Sequence, residues 1–199
     1  MDANGERFSG LEWYGEDLAG GSYVSCEFSD SDLMEVRSRG ARFDRCEFRG
    51  VRLNVSTHEA SSFTGCLFYR SSFFAAELRG CKFTGSRFVE TKLRPMTVVG
   101  GNWSYTVLRG ADLQGVDLSN VRLDEADLSE ANLAGTRFVG AGLTRATLRN
   151  AVLDDTVLTG ADLSGVALAG LRWHRTRVDP VQAQLIAEAQ GVLIEPTPG

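Results

Sequence analysis

Ala111-Asp112-Leu113-Gln114-Gly115, Ala126-Asp127-Leu128-Ser129-Glu130 and Ala161-Asp162-Leu163-Ser164-Gly165 write one five-residue unit three times, in one register. That register extends over most of the 199-residue chain. Of the 35 residues at every fifth position from Phe8 to Val178, 33 are apolar or aromatic; Ser38 and His58 are the exceptions. All three tryptophans and 10 of the 11 phenylalanines fall in this column. The position two residues earlier is small. From Gly21 to Thr176, 30 of 32 such residues are Gly, Ala, Ser, Thr, Cys or Val, and only Met96 and Leu171 are larger. Seventeen of the 22 glycines have numbers divisible by five.

A helix advances about 100° per residue, so a five-residue repeat drifts about 140° each time and forms no face. A strand alternates, so an odd repeat swaps faces. The period fits a path that turns a corner every five residues, with the large residue and the small one two before it pointing inward. Four sides close a twenty-residue coil, and coils stack through backbone hydrogen bonds about 4.8 Å apart. Glycine at the fifth position suits a corner with positive φ. The expected architecture is an all-β solenoid over residues 1–178, with a separate tail over 179–199.

The unit Ala-Asp/Asn-Leu-x-Gly resembles the pentapeptide repeat proteins, over residues 8 to 178. The resemblance implies a right-handed quadrilateral β-helix. Residues twenty apart then stack. Phe8, Phe28, Phe48, Phe68 and Phe88 give way to Leu108, Leu128, Leu148 and Leu168 on one face. Tyr23, Phe43, Phe63, Phe83 and Trp103 give way to Leu123, Leu143 and Leu163 on the next. Such an interior leaves no pore.

Ser38 and His58 are also twenty apart and become stacked neighbours. A Ser–His nucleophile pair is one reading and a hydrogen-bonded core step the other. The interior position, without substrate access or a visible third partner, favours the core step. His174 reads as a surface residue. Cys26, Cys46, Cys66 and Cys81 all occupy the small inward column. Without a C-x-x-C spacing or a histidine in that column they read as buried small residues, not as disulfides or a metal site. Pro95, beside Met96 and Gly100-Gly101, marks either a local irregularity, such as a bend between two halves, or a tolerated turn proline.

Asp179-Pro180-Val181-Gln182 reads as a helix start, with Asp179 as N-cap, Pro180 at N1 and Gln182 at N3; Gly191 is its stop. Val181, Leu185, Ile186 and Ala189 are expected on one face, followed by the apolar run Val192-Leu193-Ile194. A solenoid end needs a cap, and these seven residues are also the candidate two-fold dimer interface.

The chain carries 21 basic and 26 acidic residues, net −5, with pI near 5.1. This argues against direct nucleic-acid binding. Nothing in the sequence suggests a membrane span or a secretory leader, so a cytoplasmic location is expected. No phosphate loop, carboxylate cleft or metal cluster appears, so neither an enzyme nor a cofactor is expected.

Leu93-Arg94-Pro95-Met96-Thr97, Val178-Asp179-Pro180-Val181-Gln182-Ala183 and the interior His58 are similar to the MfpA/Qnr branch of the family. That branch implies a homodimer joined through its C-terminal ends. The rod imitates duplex DNA and binds type II topoisomerase, chiefly DNA gyrase, inhibiting it, protecting it from quinolone-type poisons, or both. The unbroken register places this chain with the loop-free MfpA type. At about 4.8 Å per coil, 35 repeats make a rod of about 42 Å.

Residues 1–100 hold 13 basic and 14 acidic groups, residues 101–199 hold 8 and 12. The candidate gyrase-binding surface is therefore Asp112, Asp117, Asp124, Glu125, Asp127, Glu130, Asp154, Asp155 and Asp162. Outward Asp is also simply what this repeat uses at its second position. Arg37, Arg39, Arg42, Arg45, Arg49 and Arg52 form a basic belt that either touches a partner or is solvated. The competing function is an interaction module for a partner other than a topoisomerase.

Overall fold

The computed structural model describes residues 2–195, and they form the expected all-β solenoid with one short C-terminal helix. Among these residues, thirteen three-residue strands make three parallel sheets of four, five and four strands. Every strand pair joins residues twenty apart, from Asp2↔Ser22 onward. Isolated parallel bridges carry the same offset to Val157↔Arg177. The units beginning at residues 6, 11, 16 and 21 define four faces, called first to fourth here.

The corner residue sets this geometry. Of the 35 positions divisible by five from Gly5 to Arg175, 34 have positive φ, seventeen of them glycine and seventeen not. Even β-branched Val55 is held at φ 57°, a conformation that costs an L-residue about 1–2 kcal/mol. Pro95 is the exception, since its ring fixes φ at about −65°.

Inside, ring spacing equals coil spacing. Phe43 and Phe63 stack at 4.8 Å and 1°, Phe28 and Phe48 at 5.0 Å and 7°. Rings on adjoining faces meet edge to face, as Phe28 does Phe43 at 68°. From Leu108 on, leucines fill the same columns, fully buried through Leu143. The small column does more than leave room. Its hydroxyls donate to a carbonyl 23 residues back, as Ser71 does to Phe48 (3.0 Å) and Thr136 to Leu113 (2.7 Å). The cysteines act alike: Cys46 Sγ reaches Tyr23 O at 3.3 Å and Cys81 Sγ reaches His58 O at 3.3 Å. All four thiols are free and buried, and burial pushes the Cys81 pKa up to about 11.

The ladder opens in two places. Between the coils of 91–100 and 111–120, Leu93, Val98, Gly100, Asp112 and Asp117 make no backbone N–H bond across the second and third faces. One coil later the rungs are closed: Leu113 donates to Asn132 and Leu118 to Arg137 at 2.9 and 2.8 Å. The fourth face of the open coil also holds, with Trp103 donating to Arg122 at 2.7 Å. Near the C-terminal end, Leu148, Asn150, Leu153 and Arg172 likewise lack their rungs. Met96 and Leu171, the two oversized residues of the small column, sit at these two seams. A side chain too large for the column props neighbouring coils apart. At the first seam Pro95 adds a corner without an N–H and without the left-handed turn. The irregularity expected at Pro95 is thus present, as a break in the ladder.

The helix Pro180–Ala189 starts as the sequence implies. Asp179 accepts from the Gln182 N–H and Gln182 accepts from the Asp179 N–H, a reciprocal capping box. Gly191 follows with φ 83°.

Gly101, in the small column just past the corner residue Gly100, has φ 107°, and a Cβ there would come within 2.3 Å of the Cys81 carbonyl oxygen. Gly80, at φ 62°, has nothing within 4 Å. Gly80→Ala is therefore expected to cost about 1 kcal/mol from the left-handed conformation alone, and Gly101→Ala more than about 2 kcal/mol. Urea unfolding of both variants checks the order, and equal midpoints would refute it.

Candidate interaction surfaces

The register distributes the nine candidate acids over all four faces. Asp127 and Glu130 lie on the first, Asp112, Asp154 and Asp155 on the second, Asp117 on the third, and Asp124, Glu125 and Asp162 on the fourth. The structure does not gather them into one stripe. Six also face an arginine: Asp112–Arg94, Asp117–Arg137, Asp124–Arg122, Glu125–Arg145, Glu130–Arg109 and Asp155–Arg175; Asp154 lies 3.6 Å from His174, which pairs with it as a charge only when protonated. Asp127 and Asp162 are in no ion pair among the described residues. Exposed pairs of this kind contribute little to stability, but they offset charge locally.

The second-position acids have a structural task. Asp117, Asp127 and Asp162 each accept the N–H of the residue two ahead at 2.9–3.0 Å. This turn cap is the physical reason for Asp or Asn in the repeat. Asn102 performs it at 2.9 Å and Asn132 at 3.3 Å, so the carboxylate charge is not needed for the turn. Hydrogen bonds from Ser164 hold the Asp162 carboxyl below the usual carboxylate range.

The basic belt is largely paired. Arg39 meets Glu59 at 2.8 Å, Arg42 and Arg45 share Asp44, Arg49 meets Glu47 and Arg52 meets Asp32, both at 2.6 Å. Among the described residues, only Arg37 of the six is in no ion pair.

Ser38 and His58 are stacked in the core as their spacing implies, with Ser38 Oγ 2.7 Å from His58 Nδ1. On the other side of the ring, His58 Nε2 lies 3.0 Å from Ser56 Oγ. The Ser56 hydroxyl is committed to the Leu53 carbonyl at 2.7 Å. Nε2 therefore carries the hydrogen, and Nδ1 accepts from Ser38. Ser61 joins at 2.9 Å. The imidazole is held by hydroxyls rather than by a carboxylate, as a filled polar step. His174 is exposed, 3.6 Å from Asp154.

At the C-terminal end the helix splits the predicted apolar face. Val181, Leu185, Ala189, Val192, Leu193 and Ile194 are exposed, Leu193 at 90%. Ile186 instead packs against the last coil. Beside it Gln182 is buried, its Nε2 donating to Leu158 O at 2.6 Å and Ala161 O at 2.8 Å. The sequence pattern placed Ile186 with the outer group. At the solenoid end the Ala161 carbonyl has no backbone donor, and Gln182 supplies one while also reaching Leu158 O, which already accepts the Ala161 N–H, so Gln182 turns inward and brings Ile186 with it. No helix among the described residues is long and apolar enough to cross a membrane.

These features define a quadrilateral β-solenoid built of five-residue units. The Pentapeptide repeats family pattern matches residues 59–94, 106–145 and 137–170 in 8 copies, about half of the chain, and the chain belongs to that family. No curated protein matches it in sequence. Among solved structures it is similar to a trypsin-treated variant of QnrB1, a plasmid-mediated fluoroquinolone resistance protein, at 22% identity over 98% of each chain and TM-score 0.74. Full-length QnrB1 matches at 22% identity over 96% of this chain and 100% of that one, TM-score 0.59. HetL, a pentapeptide repeat protein involved in heterocyst differentiation regulation from the cyanobacterium Nostoc, matches at 20% identity over 89% and 86%, TM-score 0.52. At these identities the likenesses establish the fold.

Burial keeps His58 neutral and pushes its pKa down to about 4. Unfolded, the same ring titrates near 6.5. Stability from this site is complete above about pH 6.5 and falls as pH drops toward 4, where the loss levels off at roughly 3 kcal/mol. Denaturant unfolding between pH 7 and 4, with His58→Leu as comparison, is expected to show this component only in the parent protein. A parallel decline in both would refute it.

Proposed function

We propose that the protein is a rod-shaped homodimer that acts in the cytoplasm, binds type II topoisomerase, chiefly DNA gyrase, and imitates duplex DNA. It thereby inhibits the enzyme, protects it from quinolone-type poisons, or both. The observation that carries this reading is the QnrB1-like fold over 98% of the chain. The MfpA/Qnr-like segments 93–97 and 178–183 support it. In an end-to-end dimer the half with 8 basic and 12 acidic residues lies at the centre, facing the basic DNA path of the enzyme. Because the acids are spread and mostly paired, spacing and shape carry more of the mimicry than charge density, which in duplex DNA is about one charge per 1.7 Å. The same pairing favours one alternative, a pentapeptide-repeat module for another protein partner.

The exposed apolar end residues Val181, Leu185, Val192, Leu193 and Ile194, with Ala189, supply the dimer contact in this reading. Ile186 belongs to the cap. Leu193→Asp is expected to convert a dimer to a monomer in analytical ultracentrifugation, with an unchanged circular dichroism spectrum. A parent protein that sediments as a monomer would remove the dimer.

Gyrase supercoiling titrated with the protein, with and without a fluoroquinolone, tests the function. Asp117→Asn, Asp127→Asn and Asp162→Asn keep the turn caps and remove three charges. Together they are expected to raise the half-inhibitory concentration about fivefold, the equivalent of about 1 kcal/mol. No inhibition and no relief of drug-induced cleavage at large excess would transfer the assignment to the other module.

A further inference from the structure

We propose that the second face of the N-terminal coils, from residues 11–15 to residues 71–75, is a two-fold self-association surface on which a second copy of the chain lies antiparallel. The inference is independent of the topoisomerase reading and of the C-terminal contact.

The exposed apolar side chains single out this face. Among the described residues, six large hydrophobic side chains before the helix are exposed, and Tyr14, Val55 and Phe74 of these lie on this one stretch. Tyr14, Met34, Asn54 and Phe74 are twenty residues apart and share the outward column just before the corner. Tyr14 is 58% exposed and Phe74 49%. The core does not account for them, because Leu33, Leu53 and Phe73 already fill the inward column beside them. Tyr14 leans over the next coil, its hydroxyl donating to Glu35 Oε1 at 2.5 Å. The other outward column of the face runs Glu12, Asp32, Arg52, Ser72 and Lys92.

The occupant follows from the order of residues along these two columns. A two-fold axis across the rod, between the coils of Asp32 and Arg52, reverses the coil order and keeps each column opposite itself. One strip of surface then supplies both halves of every contact, as a two-fold interface requires. Tyr14 meets Phe74 of the second copy at each end, an aromatic pair made twice. Asp32 lies opposite Arg52 of the second copy, and Arg52 opposite its Asp32. Asp32 and Arg52 already meet at 2.6 Å within one chain, so the four charges alternate around a square. Glu12 faces Ser72 and stands one coil, about 4.8 Å, from Lys92 of the second copy, within reach of a lysine side chain. Among the described residues, Glu12 and Lys92 are in no ion pair of their own chain. No charge in these columns lies directly opposite a like charge. Glu35 and Arg94 stay at the rim, engaged by Tyr14 and Asp112. A parallel copy would instead set Tyr14 against Glu12 and Phe74 against Ser72. From Tyr14 to Phe74 the strip spans three coil steps, about 14 Å. That is smaller than the roughly 800 Å² per partner of a standard interface, so the association is weak and concentration-dependent.

Sedimentation velocity on Leu193→Asp isolates this contact from the C-terminal one. That variant is expected to be a monomer at low micromolar concentration and to dimerise with a dissociation constant of about 50 μM. Phe74→Ser introduces a residue the repeat already carries at this position in Ser129 and Ser164. In the same background it is expected to weaken dimerisation about tenfold with an unchanged circular dichroism spectrum. Glu12→Lys and Lys92→Glu are each expected to weaken it about threefold, and the double variant to return to within about twofold of the starting value. Because neither residue has an ion-pair partner in its own chain, this rescue reads the contact between copies. The proposal is overturned if Leu193→Asp stays monomeric at about 500 μM, ten times the expected constant. It is also overturned if Phe74→Ser leaves the association unchanged, or if the double variant is as weak as the two single effects combined. A parent protein that is monomeric at low micromolar concentration removes the C-terminal dimer and not this contact; the same series is then run on the parent.

Discussion

The structure depends on one backbone constraint, a left-handed residue every fifth position. It is kept at 34 of 35 corners whether or not the residue is glycine. Each corner turns the chain, four corners return it to its starting direction, and residues twenty apart then meet. Everything else is built on that return: the parallel ladder, the stacked rings about 4.8 Å apart and the bond from the small column to a carbonyl 23 residues back. Non-glycine corners oppose the constraint locally, and most donate their N–H to the next coil, as Val55 does to Phe74 at 2.9 Å. Where the constraint is lost, at Pro95, the ladder opens.

This accounts for what was legible in the sequence. Two of every five residues point inward and must be large or small in turn, so the fold can be read from Phe8 to Val178 without any tertiary knowledge. Ser38 and His58 were placed by the same arithmetic. The helix was legible because Asp179, Pro180 and Gln182 carry local capping chemistry. Its orientation was not. A helical pattern gives a stripe, but the buried side was chosen by carbonyls at the end of the solenoid, which attract Gln182 and turn Ile186 inward. That signal lies in the last coil, not in the helix.

The outward residues are the harder part. Three positions in five are free of the core, and the sequence shows their charges but not their neighbours. The nine acids looked like a block along the chain. A twenty-residue coil wraps such a block around four faces, and six of the nine then meet an arginine. Even the preference for Asp has a local cause, since Asp127 and Asp162 cap turn N–H groups as Asn102 does. Acidity in this repeat is partly a by-product of turn chemistry, and a surface argument must rest on what remains after that use.

The seams show the same logic from the opposite side. Met96 and Leu171 were visible as the only large residues in the small column, yet the pattern alone did not say whether the interior would absorb them. The ladder answers this, because its rungs fail beside both and are otherwise kept between regular units except at Glu90, the corner that leads into the first seam. The first seam lies near the change from the aromatic to the leucine interior and at the start of the more acidic half. A regular rod offers a partner only its side chains, because its backbone is used by the next coil. A seam is different in kind, since main-chain groups in the middle of the rod lack their partner on the next coil. Pro95 and Met96 together therefore interrupt the ladder at a point where a regular unit would have continued it.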